Sequence, residues 1–583
     1  MAELTINQGA TFNWANYALW TPIYTHSVRS FMTGERVGSG EWAITREWYE
    51  DVNENEIFDA GDVKVGKATL DLTEFTPVPT VPGTYAYDFS LHLDWTLRDP
   101  VTGAAIGTLE GAPSAFRITV VAQGQASNGP VTSYYAIVSH TGAGNEFFSG
   151  DDTVTLGAGD DYFVDFEGEL TLTSGAGNDT LVIMDNTDSA PDYIDGGDGD
   201  DFITYTGYGD VFFGGRGNDT FVYDANHQQT NSFSTVFFGG EGNDNVTGSP
   251  RGNEFFEEAG SGNDTYIGSD STDYRDVLDY SAGASGVTTD IGSNQAVNTG
   301  TYGLDLFVGI DDVNGTGFND MIFGSAAGNR LSGGNGADVL DGRGGADLLN
   351  GAAGNDTLQG GTGDDDLSGG DGNDTMRGGA GSDSLNGGAG SADMADYLTA
   401  ATVGVTAALD GSLAGTGDAK GDIFVGIERL RGTNFDDCLK GDAASNILFG
   451  QSGRDILDGG SGADRIIGGS SIDTLTGGAG ADRFEFMALN EAGDLILDFS
   501  AVDDLLVITG SAFGGGLTAG TLGTNQFQSS ANSAAANAAV RFIFNTSNKT
   551  FWFDSDGSGA AGPVMVAELQ AVAIVNHADI LIV

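Results

Sequence analysis

Aspartate closes a glycine-rich turn in this chain at a fixed interval of nine residues. From Gly333 the sequence reads GGNGADVLD, GRGGADLLN, GAAGNDTLQ, GGTGDDDLS, GGDGNDTMR and GGAGSDSLN. This puts Asp338, Asp347, Asp356, Asp365, Asp374 and Asp383 at the sixth place of successive units. A second run starts at Gly432, Gly441, Gly450, Gly459, Gly468 and Gly477, and its last four units carry Asp455, Asp464, Asp473 and Asp482. Looser single copies (GAGDDYF, GAGNDTL, GGDGDDFI, GGRGNDTF, GGEGNDNV, GSGNDTY) place Asp161, Asp179, Asp201, Asp219, Asp244 and Asp264 at intervals of 18, 22, 18, 25 and 20 residues. Eighteen is two units, so these read as solenoid turns carrying insertions.

The chemistry such a pattern can do is cation binding. The first six residues of a unit form a turn, because glycine tolerates positive φ and close backbone approach. The last three form a short strand whose middle residue is apolar: Leu340, Leu349, Leu358, Leu367, Met376 and Leu385, then Leu457, Ile466, Leu475 and Phe484. Two units make a coil, so turns stack along each edge at about 4.8 Å and their carboxylates form columns. Two unpaired carboxylates about 5 Å apart repel by roughly 3 kcal/mol at an effective dielectric of about 20. Without counter-ions the roll does not close. Calcium suits the gaps, being a hard cation that takes six to eight oxygens from carboxylates and carbonyls. Zinc would want His or Cys, and His26, His92, His140, His227 and His577 are scattered. Ion binding then becomes folding free energy. At affinities of roughly 0.1 to 1 mM, the repeats stay unfolded in cytosol and fold outside the cell.

The elements that must position these residues are all-β: a calcium-bound parallel β-roll with an N-terminal β-sandwich-like domain and a C-terminal β-rich cap. Residues 1–135 carry strand-like alternations (EWAITREWY, YAYDFSLHLDW, AFRITVVAQ), with GQASNGP as a linker. Residues 136–278 read as an irregular roll with insertions. Two modules follow, 279–395 and 396–485, because the stretch from Tyr280 through DLFVGIDDVNGTGFNDMIFG is matched 117 residues later from Tyr397 through DIFVGIERLRGTNFDDCLKG. Residues 486–583 form the cap.

Composition narrows the function. There are 94 Gly but only 10 Pro, which excludes collagen. A formal charge of -62 argues against nucleic acid and anionic membrane, and makes cations the expected partners. The single cysteine, Cys438, excludes a disulfide framework, so metal must do the stapling. No basic segment followed by an apolar run opens the chain and no membrane span is indicated, so export through a cleaved N-terminal leader is not expected.

These nonapeptides resemble the RTX repeat over about 140–485, a class that binds calcium. The last hundred residues are similar to the C-terminal region of serralysin-type RTX proteins, through DLILDFSAVDDLLVI, FDSDGSG and the end Asp579-Ile-Leu-Ile-Val583. The resemblance implies secretion by type I machinery from an uncleaved C-terminal signal. It also implies that the calcium ligands are the sixth-position aspartates named above, together with turn carbonyls. The units at Gly432 and Gly441, Arg343 and Ser471 depart from the pattern.

A separate calcium loop is expected in DVNENEIFDAGD, where Asp51, Asn53, Asn55, the Ile57 carbonyl, Asp59 and Asp62 stand at loop positions one, three, five, seven, nine and twelve. It differs from the usual pattern at Glu56 and Asp62. FDSDGSG reads as a hairpin turn. No H-E-x-x-H or G-x-S-x-G string occurs, and the repeat already explains the clustered carboxylates. The expected function is therefore non-enzymatic: a secreted, extracellular structural or surface protein of the S-layer, matrix or adhesin type, whose N-terminal domain mediates self-assembly or a cell-surface contact. The competing reading is a secreted effector or hydrolase with its active site in that domain.

Overall fold

The computed structural model describes residues 152–583 apart from 157–159, 166–169, 184–190, 208, 225–233, 258–261, 270–272, 294–302 and 399–401, and gives strand backbones within 18–148. The chain divides into two units, one of residues 1–256 and 260–275, the other of 257–259 and 276–583.

In the first unit the three alternating segments form Trp42–Glu50, Thr84–Arg98 and Ser114–Ala122. They join Val28–Arg36 and Val63–Pro77 in one antiparallel sheet. Its last strand, Tyr134–Ser139, pairs antiparallel with Ser114–Ala122 and parallel with Asp152–Thr155. That strand is where the chain changes from antiparallel sheet to parallel roll. From there each strand pairs with the one a full coil later. Phe163 aligns with Leu181, Ile203 and Phe221 on one side, and Val154 with Leu172, Ile194, Phe212, Phe237 and Phe255 on the other. These side chains are buried, and Phe212, Phe237 and Phe255 stack at 5.4 and 5.5 Å.

The second unit repeats the arrangement with smaller aliphatic side chains. Ile322, Leu340, Leu358 and Met376 form one inward column; Leu331, Leu349, Leu367 and Leu385 face it. All are buried, each contributing about 2 to 3 kcal/mol of apolar transfer. The turns work because glycines at positions two and four take left-handed backbone. In GGTGDD, Gly361 has φ 108° and Gly363 φ 134°. A Cβ on Gly363 would fall 1.5 Å from the Gly345 carbonyl oxygen. In the first array every strand after Val339–Asp341 runs six residues, as in Thr357–Thr362, extending into the following turn.

The cap continues these columns. Phe484 aligns with Leu506 and then Ile580, and Leu475 with Ile496 and then Leu569. The C-terminal strand Ile580–Ile582 is thus the last rung of the roll. The expected hairpin is present: Thr550–Phe553 pairs antiparallel with Val564–Leu569, and FDSDGSG lies in the connection. Among the described residues, no helix is long and apolar enough to cross a membrane.

Candidate metal centre

The strand register brings the sixth-position aspartates into columns one coil apart. Along each column, the backbone N–H of one aspartate donates to Oδ1 of the next. Asp338 donates to Asp356, Asp356 to Asp374, Asp347 to Asp365, Asp455 to Asp473 and Asp464 to Asp482, at 2.8 to 2.9 Å. The loose copies do the same despite their insertions. Asp161 donates to Asp179, and the chain continues through Asp201, Asp219 and Asp244 to Asp264 at 2.7 to 2.8 Å. Every sequence-expected aspartate from Asp161 to Asp482 therefore stands in a column. Asp51, Asn53, Asn55, Ile57, Asp59 and Asp62 lie outside the described residues.

In many of these carboxylates one oxygen is used and the other is not. Oδ2 is buried and has no hydrogen-bond partner in Asp179, Asp201, Asp219, Asp244, Asp338, Asp356, Asp365, Asp374, Asp383, Asp393, Asp455, Asp464, Asp473 and Asp482. A single buried unsatisfied polar atom costs about 1 to 3 kcal/mol, more when charged. These oxygens point into a repeated cradle. A Cβ on Gly351 would lie 2.4 Å from Asp356 Oδ2 and 2.6 Å from the Gly369 carbonyl oxygen. On Gly450 it would lie 2.4 Å from both Asp455 Oδ2 and the Gly468 carbonyl oxygen. Gly360 and Gly459 open the same kind of space, faced by the carboxylate of their own turn and a carbonyl from the next coil, while at Gly333, Gly342, Gly369, Gly378, Gly468 and Gly477 the nearest atoms are those of the turn's own aspartate.

Burial raises several of these carboxyls. Asp455 is pushed up to about 8 by desolvation, with Asp473 and Asp437 adding like-charge repulsion; Asp219 also reaches about 8, and Asp338 and Asp383 about 7. Asp396 is the counterexample. Burial raises it too, but Arg377 and Arg431 donate at 2.7 Å each and hold it below the usual carboxylate range. Among the described residues no arginine or lysine lowers Asp338, Asp356, Asp365, Asp383 or Asp455 in this way. An all-oxygen donor set, anionic and regularly spaced, fits calcium and lacks the nitrogen or sulfur that zinc or copper would select.

Sequence reading missed several members. Asp192 and Asp210 form part of a second column in the first unit, Asp192 donating to Asp210 Oδ1 at 3.2 Å. Asp393, Asp422, Asp494 and Asp504 extend the others, accepting from Asp374, Asp383, Asp473 and Asp482. The signal for the first pair was its 18-residue interval; for the rest, insertions stretch the coil. Cys438 is half-buried, and burial with Asp458 and Asp437 nearby raises its thiol, so it stays protonated.

A family model described as the RTX calcium-binding nonapeptide repeat matches residues 148–181, 204–222, 230–250, 323–358, 359–391, 424–457 and 458–486. Among curated proteins, none matches the chain.

Proposed function

Because this chain is an RTX repeat protein that binds Ca²⁺, we propose that it is a secreted structural or surface protein whose roll folds on calcium outside the cell. The observation that carries this reading is the column of buried, partnerless Oδ2 atoms, which leaves the folded roll electrostatically incomplete without divalent cations. The ligands in this reading are the sixth-position aspartates from Asp161 to Asp482 with first-position carbonyls of the next coil. Secretion by type I machinery is supported by the serralysin-like segments DLILDFSAVDDLLVI and FDSDGSG and by a calcium requirement that would keep the chain unfolded before export.

The S-layer, matrix or adhesin role rests on the length of the repeat array and on the antiparallel sheet at its N-terminal end, a separate element suited to contact. The test is static light scattering with circular dichroism as calcium is titrated from EDTA to about 10 mM. Folding with growth into large ordered assemblies supports a lattice or matrix protein. Folding to a compact monomer removes that reading in favour of an adhesin or an N-terminal activity, and unchanged dichroism in EDTA overturns calcium-gated folding altogether.

A further inference from the structure

Asp320 and Asp437 hold sixth positions 117 residues apart in the two internal copies, yet neither keeps an orphan oxygen. In the turn GTGFND the second residue is Thr316 rather than glycine. Its N–H donates to Asp320 Oδ2 at 2.6 Å, its Oγ1 donates to Oδ1 at 2.9 Å, and the Val287 N–H donates to Oδ1 at 2.7 Å. The turn GTNFDD repeats each bond. The Thr433 N–H reaches Asp437 Oδ2 at 2.6 Å, Thr433 Oγ1 reaches Oδ1 at 2.9 Å, and the Val405 N–H reaches Oδ1 at 2.7 Å. Both hydroxyls also accept an N–H two residues on, from Phe318 at 3.0 Å and Phe435 at 2.9 Å, which fixes them with the proton toward the carboxylate.

The opposite column is interrupted in both copies by a turn without a carboxylate, one coil after Asp311 and Glu428. The sixth-position residues there are Asn329 and Asn446, whose Oδ1 atoms accept from the Ser325 and Asp442 N–H groups at 2.7 and 2.8 Å. In the first copy a protein cation is also present. The Arg343 guanidinium donates to the first-position carbonyl of Gly324 at 2.9 Å and to both oxygens of Asp290 at 2.7 and 2.8 Å.

We propose that each module opens on metal-free turns. Thr316 and Thr433 do for Asp320 and Asp437 what a cation does for the later aspartates, and calcium loading begins on the turns that follow. This rests on the calcium reading and deepens it. A carboxylate ringed by three hydrogen-bond donors presents positive ends of dipoles toward the space an ion would enter, so calcium gains little there. Each module then possesses a coil that closes at low calcium and templates the next, as propagation in a linear repeat requires.

The test uses the full chain. A T316V/T433V variant removes the hydroxyls, and T316S/T433S keeps them. The serine variant is expected to fold at the parent's calcium midpoint by circular dichroism, and the valine variant at a midpoint about threefold or more higher, from the lost donor at each buried carboxylate. Equal midpoints for the two variants overturn the proposal. Independently of folding in the variants, anomalous diffraction from parent crystals grown with terbium is expected to show ions against Asp356 and Asp473 and none against Asp320 or Asp437. A peak at either of the latter overturns it. A parent that binds no terbium at any turn overturns the calcium reading instead.

Discussion

The backbone N–H of Asp338 donates to Asp356 Oδ1 at 2.8 Å, one coil away, and leaves Asp356 Oδ2 buried without a partner. One half of the side chain is thus a strut between coils and the other half a ligand in waiting. The two halves respond to different changes.

The substitution Asp356→Asn separates them. It keeps Oδ1 as the acceptor for Asp338 but removes a charge from the column. In EDTA the variant is expected to be easier to fold than the parent, by on the order of 1 kcal/mol. In saturating calcium it is expected to be less stable, because an anionic ligand is lost. Urea unfolding followed by circular dichroism in each condition checks both signs; the same sign in both is the outcome that fails.

Acidity should act in opposite directions with and without metal. Asp201, Asp219, Asp338, Asp383 and Asp455 have folded values of about 7 to 8 against about 4 unfolded. Groups raised in the folded state bind protons more tightly there, so their contribution is fully present below about pH 4 and is lost as pH rises through 7 to 8. The metal-free roll is therefore expected to gain structure on acidification. Protons compete with the ion, so calcium affinity is expected to fall over the same window. Dichroism in EDTA and calorimetric titration, each between pH 5 and 8.5, test the pair.

Coil stacking sets a hard steric limit at the fourth position. A Cβ on Gly372 would fall 1.4 Å from the Gly354 carbonyl oxygen, at φ 147°. Gly372→Ala should cost several kcal/mol, on the scale of the severe single-site backbone effects. A calcium midpoint within error of the parent's would refute this.

Ala352 offers the reverse experiment. It takes the second position of GAAGND at φ 73°, where the units stacked one coil away have Gly334 and Gly370. Ala352→Gly should stabilise the calcium-loaded roll by about 1 kcal/mol, since the left-handed region costs an L side chain roughly that much. Thermal unfolding of the loaded protein measures it.

Much of this was legible because the nine-residue period fixes both facing and spacing. Leu340, Leu358 and Met376 were expected inside from their eighth positions and are fully buried. The aspartate columns followed from the same period. Asp494 and Asp504 were not found, since their coils run 21 and 22 residues and their turns lack the glycine pattern. Thr316 and Thr433 were harder still. A threonine in a glycine place looks like a decayed repeat, and only the bonds to Asp320 and Asp437 suggest the ion-replacing role proposed above.

The eighteen-residue coil also has a mechanical meaning. Stacked, it advances the axis by one strand spacing of about 4.8 Å, while the same residues drawn straight span roughly 60 Å. A pull along the axis would lengthen each stripped coil about twelvefold, adding roughly 55 Å per eighteen-residue coil, with the bound ion setting the force at which each step yields. A roll anchored at both ends would behave as an extensible tether whose stiffness is tuned by external calcium, taking up load coil by coil where a rigid strut would snap.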